Sequence, residues 1–166
     1  MSSRAHPALA LRPFLPADAS LLAEIFRASI EELTGDDYSQ QQQEAWAASA
    51  DDLTAFAERL GARLTLVATL EGSPVGFTAL EGADTVDMLY VHPAVAGQGI
   101  GAMLLDALEK LAAARGAARL KVEASDSASG FFQHCGFVAT TRNSVLRGDE
   151  WLANTTMEKK LAEATR

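Results

Sequence analysis

The fold is decided by residues 89–105, LYVHPAVAGQGIGAMLL. An apolar run ending before Pro93 predicts a strand, and leucines at helical spacing after Gly101 predict a helix. The loop between them has glycine at alternate positions, Gly97, Gly99 and Gly101. A helix start presents unpaired backbone N–H groups and a positive dipole end, and glycine lets an anion approach the backbone closely. The stretch therefore predicts a cradle for a pyrophosphate.

Upstream of this stretch, helical periodicity gives way to strand-like patterns. The predicted helices are 16–30, 39–47 and 52–60, and the predicted strands are 9–11, 64–70, 75–80 and 85–91. The last three strands are joined by short turns, which is typical of an antiparallel meander.

Downstream, Leu104, Leu108 and Leu111 give the long helix an apolar stripe, and Gly116 ends it. The remaining predictions are a strand at 119–124, a short helix from Ser125 or Asp126 to Cys135, and strands at 137–142 and 154–160. The order β-α-α-α-β-β-β-α-β-α-β-β predicts an α/β fold with a mixed sheet. We expect a single domain over residues 1–166.

Composition narrows the class of protein. The net charge of −8 disfavours a nucleic-acid partner, because phosphate contacts need clustered Lys and Arg, and it favours cationic partners such as amines. No apolar stretch approaches the ~18 residues of a membrane span, so we expect no membrane partner. The single cysteine, Cys135, suggests a cytoplasmic location, and the scattered histidines match no metal-site spacing.

Two motifs resemble those of the GNAT acetyltransferases. Val91-His92-Pro93, followed by residues 97–101 (GQGIG) and Leu104-Leu105, looks like their acetyl-CoA-binding motif, Arg/Gln-x-x-Gly-x-Gly/Ala. Residues 131–137, FFQHCGF, resemble their second signature, Phe-Tyr-x-x-x-Gly-Phe. The resemblance implies an N-acetyltransferase with acetyl-CoA as co-substrate and a mostly antiparallel sheet. Its central strand would splay from its neighbour at the cofactor site. Family members are often dimers, so a homodimer is compatible with the resemblance.

The resemblance places the coenzyme at the strand end, the glycine loop and the later helix. The implied cofactor-binding residues are Leu89, Tyr90, Val91, Ala96, Gly97, Gln98, Gly99, Ile100, Gly101, Ala102, Ser125 and Phe132. Two of them depart from the family pattern. Ala96 stands where Arg or Gln is usual, which removes a side-chain contact but leaves the backbone donors. Phe132 stands where the family often has a tyrosine that protonates the leaving thiolate, and it cannot donate a proton.

Attack of an amine on a thioester needs a base, because a primary amine with a pKa of ~10 is mostly ammonium at neutral pH. Asp87, two residues before Leu89, is the first candidate, and Glu81 and Glu123 are weaker ones. Each of the three carboxylates is alternatively an ordinary surface or capping charge. The resemblance also implies that a backbone N–H at the strand end, residues 89–91, donates to the oxyanion.

Departure of the thiolate needs less assistance from the protein than deprotonation of the amine does. A thiol has a pKa of ~8.5, so the absence of a general acid costs about 2 kcal/mol of driving force at most. Tyr90, a water molecule or His134 are candidates to replace the absent tyrosine. Cys135 precedes Gly136 at a helix C-terminus, which raises a thiol pKa, so we interpret it as a packed thiol rather than a nucleophile.

Tyr38 and Trp46 are candidates for the acceptor pocket, since the early helical segment lines that pocket in the family. Glu81 is a further candidate for the same pocket. Tyr38 and Trp46 are alternatively partial-core aromatics. The net charge favours a small cationic amine as the acceptor.

Two other classes of protein are compatible with the motifs. Gly97-x-Gly99-x-x-Ala102 also satisfies a dinucleotide-binding fingerprint, with Glu123 near the end of the next strand. Against that class, the motif lies past mid-chain behind a predicted meander. A non-catalytic acyl-CoA sensor of the same fold is the second alternative, and Ala96 and Phe132 motivate it.

Overall fold

The computed structural model describes residues 8–161. Its strands are β1 Leu9–Pro13, β2 Leu64–Leu70, β3 Ser73–Glu81, β4 Thr85–Val91, β5 Arg119–Ser125, β6 Val138–Arg147 and β7 Glu150–Lys160. Its α-helices are α1 Ala19–Leu33, α2 Gln40–Ala47, α3 Leu53–Ala62, α4 Ile100–Ala114 and α5 Ser129–His134. This order confirms the predicted succession of helices and strands.

All seven strands form one sheet in the order β1-β2-β3-β4-β5-β7-β6. Every neighbouring pair is antiparallel except β4 and β5, which run parallel. A mixed, mostly antiparallel sheet is therefore confirmed. It is not the doubly wound parallel sheet that a classical dinucleotide-binding fold requires.

The two central strands separate early. β4 and β5 pair only at Thr85 with Lys121 and at Val86 with Val122, near the start of β4. Beyond that point β4 has a strand partner only on its β3 side. The predicted splay of the central strand is thus present in the fold.

A bulge in β4 lies where the strands part. Ala79 pairs with Met88 and Leu80 with Val86, so Asp87 has no residue directly opposite it on β3. A bulge of this kind bends a strand and changes which face its side chains point to. Val86 accordingly belongs to the core cluster beneath α4, and Met88 to the cluster beneath α1 and α3. The bend directs the rest of β4 away from β5.

Helices cover the sheet on both faces. Leu22, Phe26, Phe56 and Phe77, each no more than 2% exposed, join α1, α3 and the first strands. On the other face Leu108, Leu120, Phe132 and Phe137 join α4, α5 and the last strands. Burying each such side chain stabilises the fold by roughly 1.5–3 kcal/mol.

Several predicted boundaries differ from the structure. α3 continues through Gly61 to Ala62. α5 begins at Ser129, because residues 126–128 form a turn in which the Ser125 hydroxyl accepts from the Ala128 N–H at 3.1 Å. β6 extends to Arg147 and β7 begins at Glu150, so they form one long hairpin. β6 is an exposed edge strand, and without a buried face it lacks the alternation that predicts strands.

Candidate active site

The glycine loop has the backbone conformation that only glycine adopts easily. Gly97 and Gly99 have φ of 80° and 86°, in the left-handed region, and Gly99 is the N-cap of α4. The first backbone bond of the helix runs from the Met103 N–H to the Gly99 carbonyl, at 3.1 Å. The N–H groups of Ile100, Gly101 and Ala102 therefore precede the intrahelical ladder and are open to a ligand.

Packing fixes this helix start. Ile100 is 2% exposed as a whole residue, and its side chain packs beside Ala68. A Cβ on Gly101 would lie 3.4 Å from the Phe131 ring and 3.8 Å from Val91. Gly101 thereby lets α5 lie close to α4, while Ala96, Gly97 and Gln98 remain exposed. His92 only shapes the preceding turn, accepting from the Ala94 N–H at 3.0 Å.

A groove of about 710 Å³ occupies the gap between β4 and β5. Past Val86, the edge of β4 that faces this gap has no strand partner, so its backbone polar groups are available to a ligand. The groove brings together nine of the sequence-predicted site residues: Tyr38, Trp46, Glu81, Asp87, Leu89, Tyr90, Glu123, Ser125 and Phe132. Val91, at the end of β4, and residues 96–102, at the start of α4, do not line the groove. Gly101 lies against both Val91 and Phe131 of α5.

Tyr90 places a hydroxyl in the groove. The Trp46 indole nitrogen donates to that hydroxyl at 3.3 Å, and the Phe26 ring packs edge-on against the Tyr90 ring at 4.7 Å. Burial raises the pKa of Tyr90 to about 12, although its bond from Trp46 and the charges of Arg59 and Arg147 act in the opposite direction. The phenol therefore keeps its proton at neutral pH and has that proton to donate.

Asp87 is held by two arginines. Its Oδ2 accepts from Arg59 Nε at 3.0 Å and from Arg63 Nε at 3.3 Å, and its Oδ1 accepts from Arg59 Nη2 at 3.0 Å. Arg63 also lies 3.4 Å from Glu81, so both predicted carboxylates share one charge network. The Asp87 side chain is 13% exposed. A carboxylate oxygen has two acceptor positions, so Oδ1 retains one for a water or substrate.

Tyr38 lines the groove and also holds the structure together. It is 6% exposed, and its hydroxyl donates to the Ala153 carbonyl at 2.6 Å and accepts from the Asp126 N–H at 2.8 Å. Its ring packs edge-on against Trp46 with centroids 5.4 Å apart. The residue thus links α2, the β5–α5 turn and β7. Its pKa is raised by burial.

The α5 side of the groove offers little proton chemistry. Phe132 is 4% exposed and lies edge-on between Phe131 and Phe137, with both centroid distances 5.2 Å. The Ser125 hydroxyl is engaged in its turn. The pKa of the Cys135 thiol is raised, as predicted, but burial is the main cause rather than the helix end. Within residues 8–161, no three His, Cys, Asp or Glu side chains gather as metal ligands would.

Three cationic side chains that line the groove were not identified from the sequence. Arg59 of α3, Lys121 of β5 and Arg147 of β6 all line it. They are separated by long stretches of chain and belong to no motif. Only the tertiary fold brings them together, so no local signal identified them.

The fold and the loop define an acyltransferase of the acetyl-CoA type, and comparison with known proteins agrees. The model of the "Acetyltransferase (GNAT) domain" matches residues 34–161. The N-acetyltransferase YafP of Escherichia coli, described as uncharacterized, is 31% identical over 150 residues, covering 90% of this chain and 95% of its own. The chain therefore belongs to the GNAT acetyltransferase family, and the predicted enzyme class is confirmed.

Solved structures support the same fold. A GCN5-related N-acetyltransferase from Rhodopseudomonas palustris, also described as an aminotransferase of class II, has a TM-score of 0.91 and 58% identity. The match covers 97% of this chain and 99% of that one. The PaiA N-acetyltransferase of Thermoplasma acidophilum, crystallised with coenzyme A, has a TM-score of 0.77 and 21% identity over 92% and 99% of the two chains. In the described part of the chain, no helix is long and apolar enough to cross a membrane.

Proposed function

We propose that the protein transfers an acetyl group from acetyl-CoA to a primary amine of a small molecule, by direct attack on the thioester. The single observation that carries this proposal is the geometry around β4. Its splayed end leaves a groove, and the glycine-capped start of α4 lies beside it. The PaiA protein of the same fold is a coenzyme A complex, which supports the choice of ligand.

The open N–H groups of Ile100, Gly101 and Ala102 hold the pyrophosphate of acetyl-CoA. Because these donors are main-chain groups, Ala96 in place of a basic or amide side chain leaves them intact. The acyl arm then extends along the open edge of β4 into the groove. A backbone N–H in residues 89–91 donates to the carbonyl oxygen that becomes negative during attack.

Homodimer formation, which the family resemblance suggested, remains a prediction.

The proton transfers are assigned to two side chains, Asp87 and Tyr90. Asp87 accepts the ammonium proton, directly or through one water, at the free position of Oδ1. The amine nitrogen then forms a bond to the acetyl carbon, and the bond from that carbon to sulfur breaks. The sulfur leaves with the pair of electrons and takes the Tyr90 phenolic proton, a role that Phe132 cannot fill. The Tyr90 phenolate takes up the second proton, which the attacking nitrogen must lose to become a neutral amide, and Asp87 releases its proton to solvent.

The groove volume, about 710 Å³, is in the range of small-molecule sites, which supports a small acceptor. Trp46 and Tyr90 supply an aromatic wall. Glu81 lies on the charge network at the β3 side, where it can attract a cationic amine.

The test is release of free coenzyme A thiol from acetyl-CoA in the presence of a panel of primary amines. The panel contains polyamines, amino acids, amino sugars and a lysine-containing peptide. Thiol release that requires an amine, with the acetylated amine found by mass spectrometry, supports the proposal. Release only with the peptide contradicts the small-molecule part.

A non-catalytic acyl-CoA sensor is the second candidate, and Phe132 favours it because Phe132 has no proton to donate where the family often has a tyrosine. Tight binding of acetyl-CoA by calorimetry, without thiol release for any acceptor, would support the sensor. NADH stabilising the protein where acetyl-CoA does not would contradict both candidates.

A further inference from the structure

The charge of the groove differs from the charge of the whole chain. The chain carries −8, but the groove is lined by three cations, Arg59, Lys121 and Arg147, and by three carboxylates, Glu81, Asp87 and Glu123. Two of these carboxylates are already paired with arginines. The net charge of the chain is therefore a poor guide to the acceptor.

Of the three groove cations, Arg147 has the largest number of side-chain N–H groups without a hydrogen-bond partner among the described residues. Within residues 8–161 its side chain donates one hydrogen bond, to the Leu146 carbonyl at 3.3 Å, and it has no carboxylate partner. A guanidinium has five N–H donors in a planar fork that matches a carboxylate. Arg147 lines the groove together with Tyr90 and Arg59. Its charge opposes the larger effect of burial, which raises the pKa of Tyr90.

Arg59 contributes from the other side. Its Nε and Nη2 bind Asp87, while Nη1 makes no hydrogen bond within the described residues. Like Arg147, it lines the groove and acts on the Tyr90 hydroxyl. Asp87 thus orients the Arg59 guanidinium and leaves Nη1 of that group available to a ligand.

The β6–β7 hairpin that carries Arg147 is fastened in place. The Trp151 carbonyl accepts from Gln42 Nε2 at 2.8 Å, and the Ala153 carbonyl accepts from the Tyr38 hydroxyl at 2.6 Å. At the tip, a Cβ on Gly148 would lie 3.7 Å from the Ala45 methyl of α2. These contacts hold the hairpin against α2, so Arg147 is presented to the groove by a fixed support rather than by a free loop.

We propose that Arg147, with Nη1 of Arg59, binds a carboxylate on the acceptor, and that the acceptor is an amine that also carries a carboxyl group, of the amino-acid type. This inference rests on the proposed function and refines its acceptor from a simple cationic amine to a zwitterion. The aromatic wall of Trp46 and Tyr90 suits an apolar side chain on that acceptor.

The test compares acceptors that differ by the carboxylate alone: phenylalanine with phenethylamine, and leucine with isoamylamine. For the wild-type protein we expect kcat/KM to be at least ~10-fold higher with the carboxylate, as charge-assisted bonds to a guanidinium imply. In Arg147→Gln this ratio should fall to within about threefold of unity, and in Arg147→Glu it should invert.

Arg119→Gln is the matched control, because Arg119 pairs with Glu158 on the surface and does not line the groove. It should keep the wild-type ratio. Equal or better turnover of the decarboxylated amines by the wild type overturns the inference and leaves the proposed function standing. A ratio that survives in Arg147→Gln overturns it as well.

A binding measurement distinguishes failure of the carboxylate site from failure of the proposed catalysis. With coenzyme A bound, N-acetylphenylalanine should bind more tightly than N-acetylphenethylamine by calorimetry, whatever the rate of turnover. Preferential binding of the former without thiol release from any acceptor supports the carboxylate site and overturns catalysis. Equal binding of the two compounds overturns the carboxylate site.

Discussion

The Trp46 indole nitrogen lies 3.3 Å from the Tyr90 hydroxyl oxygen and donates a hydrogen bond to it. Because this bond occupies a lone pair, the phenolic proton of Tyr90 is left to point elsewhere in the groove. The high pKa of this buried phenol, about 12, keeps the proton in place at neutral pH. The pair therefore holds a proton donor in the groove, whereas Phe132 offers none.

Tyr90→Phe tests this role. We expect kcat to fall by about 10- to 30-fold, because the thiol pKa of ~8.5 is only ~1.5 units above neutral and limits what a proton donor can contribute. Affinity for acetyl-CoA, measured by calorimetry, should change little. An unchanged kcat in a folded variant would show that solvent protonates the thiolate.

Tyr38→Phe removes the same hydroxyl group from a residue that uses it structurally. Its loss leaves the Asp126 N–H and the Ala153 carbonyl without their partner. The free energy of unfolding should fall by roughly 1–3 kcal/mol, measured by urea denaturation. If stability is unchanged, water satisfies both groups and the bridge is dispensable.

Gly99→Val places a β-branched side chain where φ is 86° and where the pyrophosphate is proposed to bind. Acetyl-CoA affinity should fall at least ~10-fold, about 1.4 kcal/mol. Gly116→Val is the matched control, since Gly116 has φ of 88° near the other end of α4 and shares the backbone strain. The control should lose stability but not affinity. Equal affinity in the two variants would place the cradle elsewhere.

Asp87→Asn tests the proposed base. We expect kcat to fall by ~100-fold or more, as for loss of a general base. Glu81→Gln serves for comparison, because Glu81 shares Arg63 with Asp87 but is mostly exposed. Its effect should be confined to KM. A lowered melting temperature with normal kcat in Asp87→Asn would mean that Asp87 only positions Arg59.

Alkaline pH should weaken the fold through its tyrosines. The chain has two, and burial raises the pKa of both. Above the ordinary tyrosine pKa of ~10 the unfolded chain loses these protons while the folded chain keeps them. The unfolded state then binds fewer protons, so the free energy of unfolding falls as pH rises from about 10 towards about 12. Urea denaturation at pH 9 to 11.5 checks this, and Tyr90→Phe should show a shallower decline.

The order of elements could be predicted because it is encoded locally. Apolar periodicity and capping residues located the helices, as with Ser39, whose hydroxyl accepts from the Gln42 N–H at 3.1 Å. The left-handed glycines Gly97 and Gly99 followed from the same local chemistry. The β6–β7 hairpin was predicted too short, since its exposed strand carries no burial signal.

The charge network could not be predicted because it is a product of tertiary packing. Asp87 was identified from its place on the central strand, but its partners Arg59 and Arg63 come from α3 and its C-cap. The β-bulge that isolates Asp87 depends on the pairing of β3 with β4. The dual role of Tyr38, wall of the groove and structural link, likewise requires the position of β7 and of the β5–α5 turn.

The narrow pairing between β4 and β5 has a consequence for motion. Only two residue pairs join β4 to β5. At this seam, the line between β4 and β5, few backbone hydrogen bonds therefore connect the half of the sheet formed by β1–β4 to the half formed by β5–β7. A ligand lodged in the gap replaces the missing strand contacts and ties both halves together. Occupancy should consequently slow amide hydrogen exchange on either side of the seam, at 87–91 and 122–125, including residues that the ligand never touches.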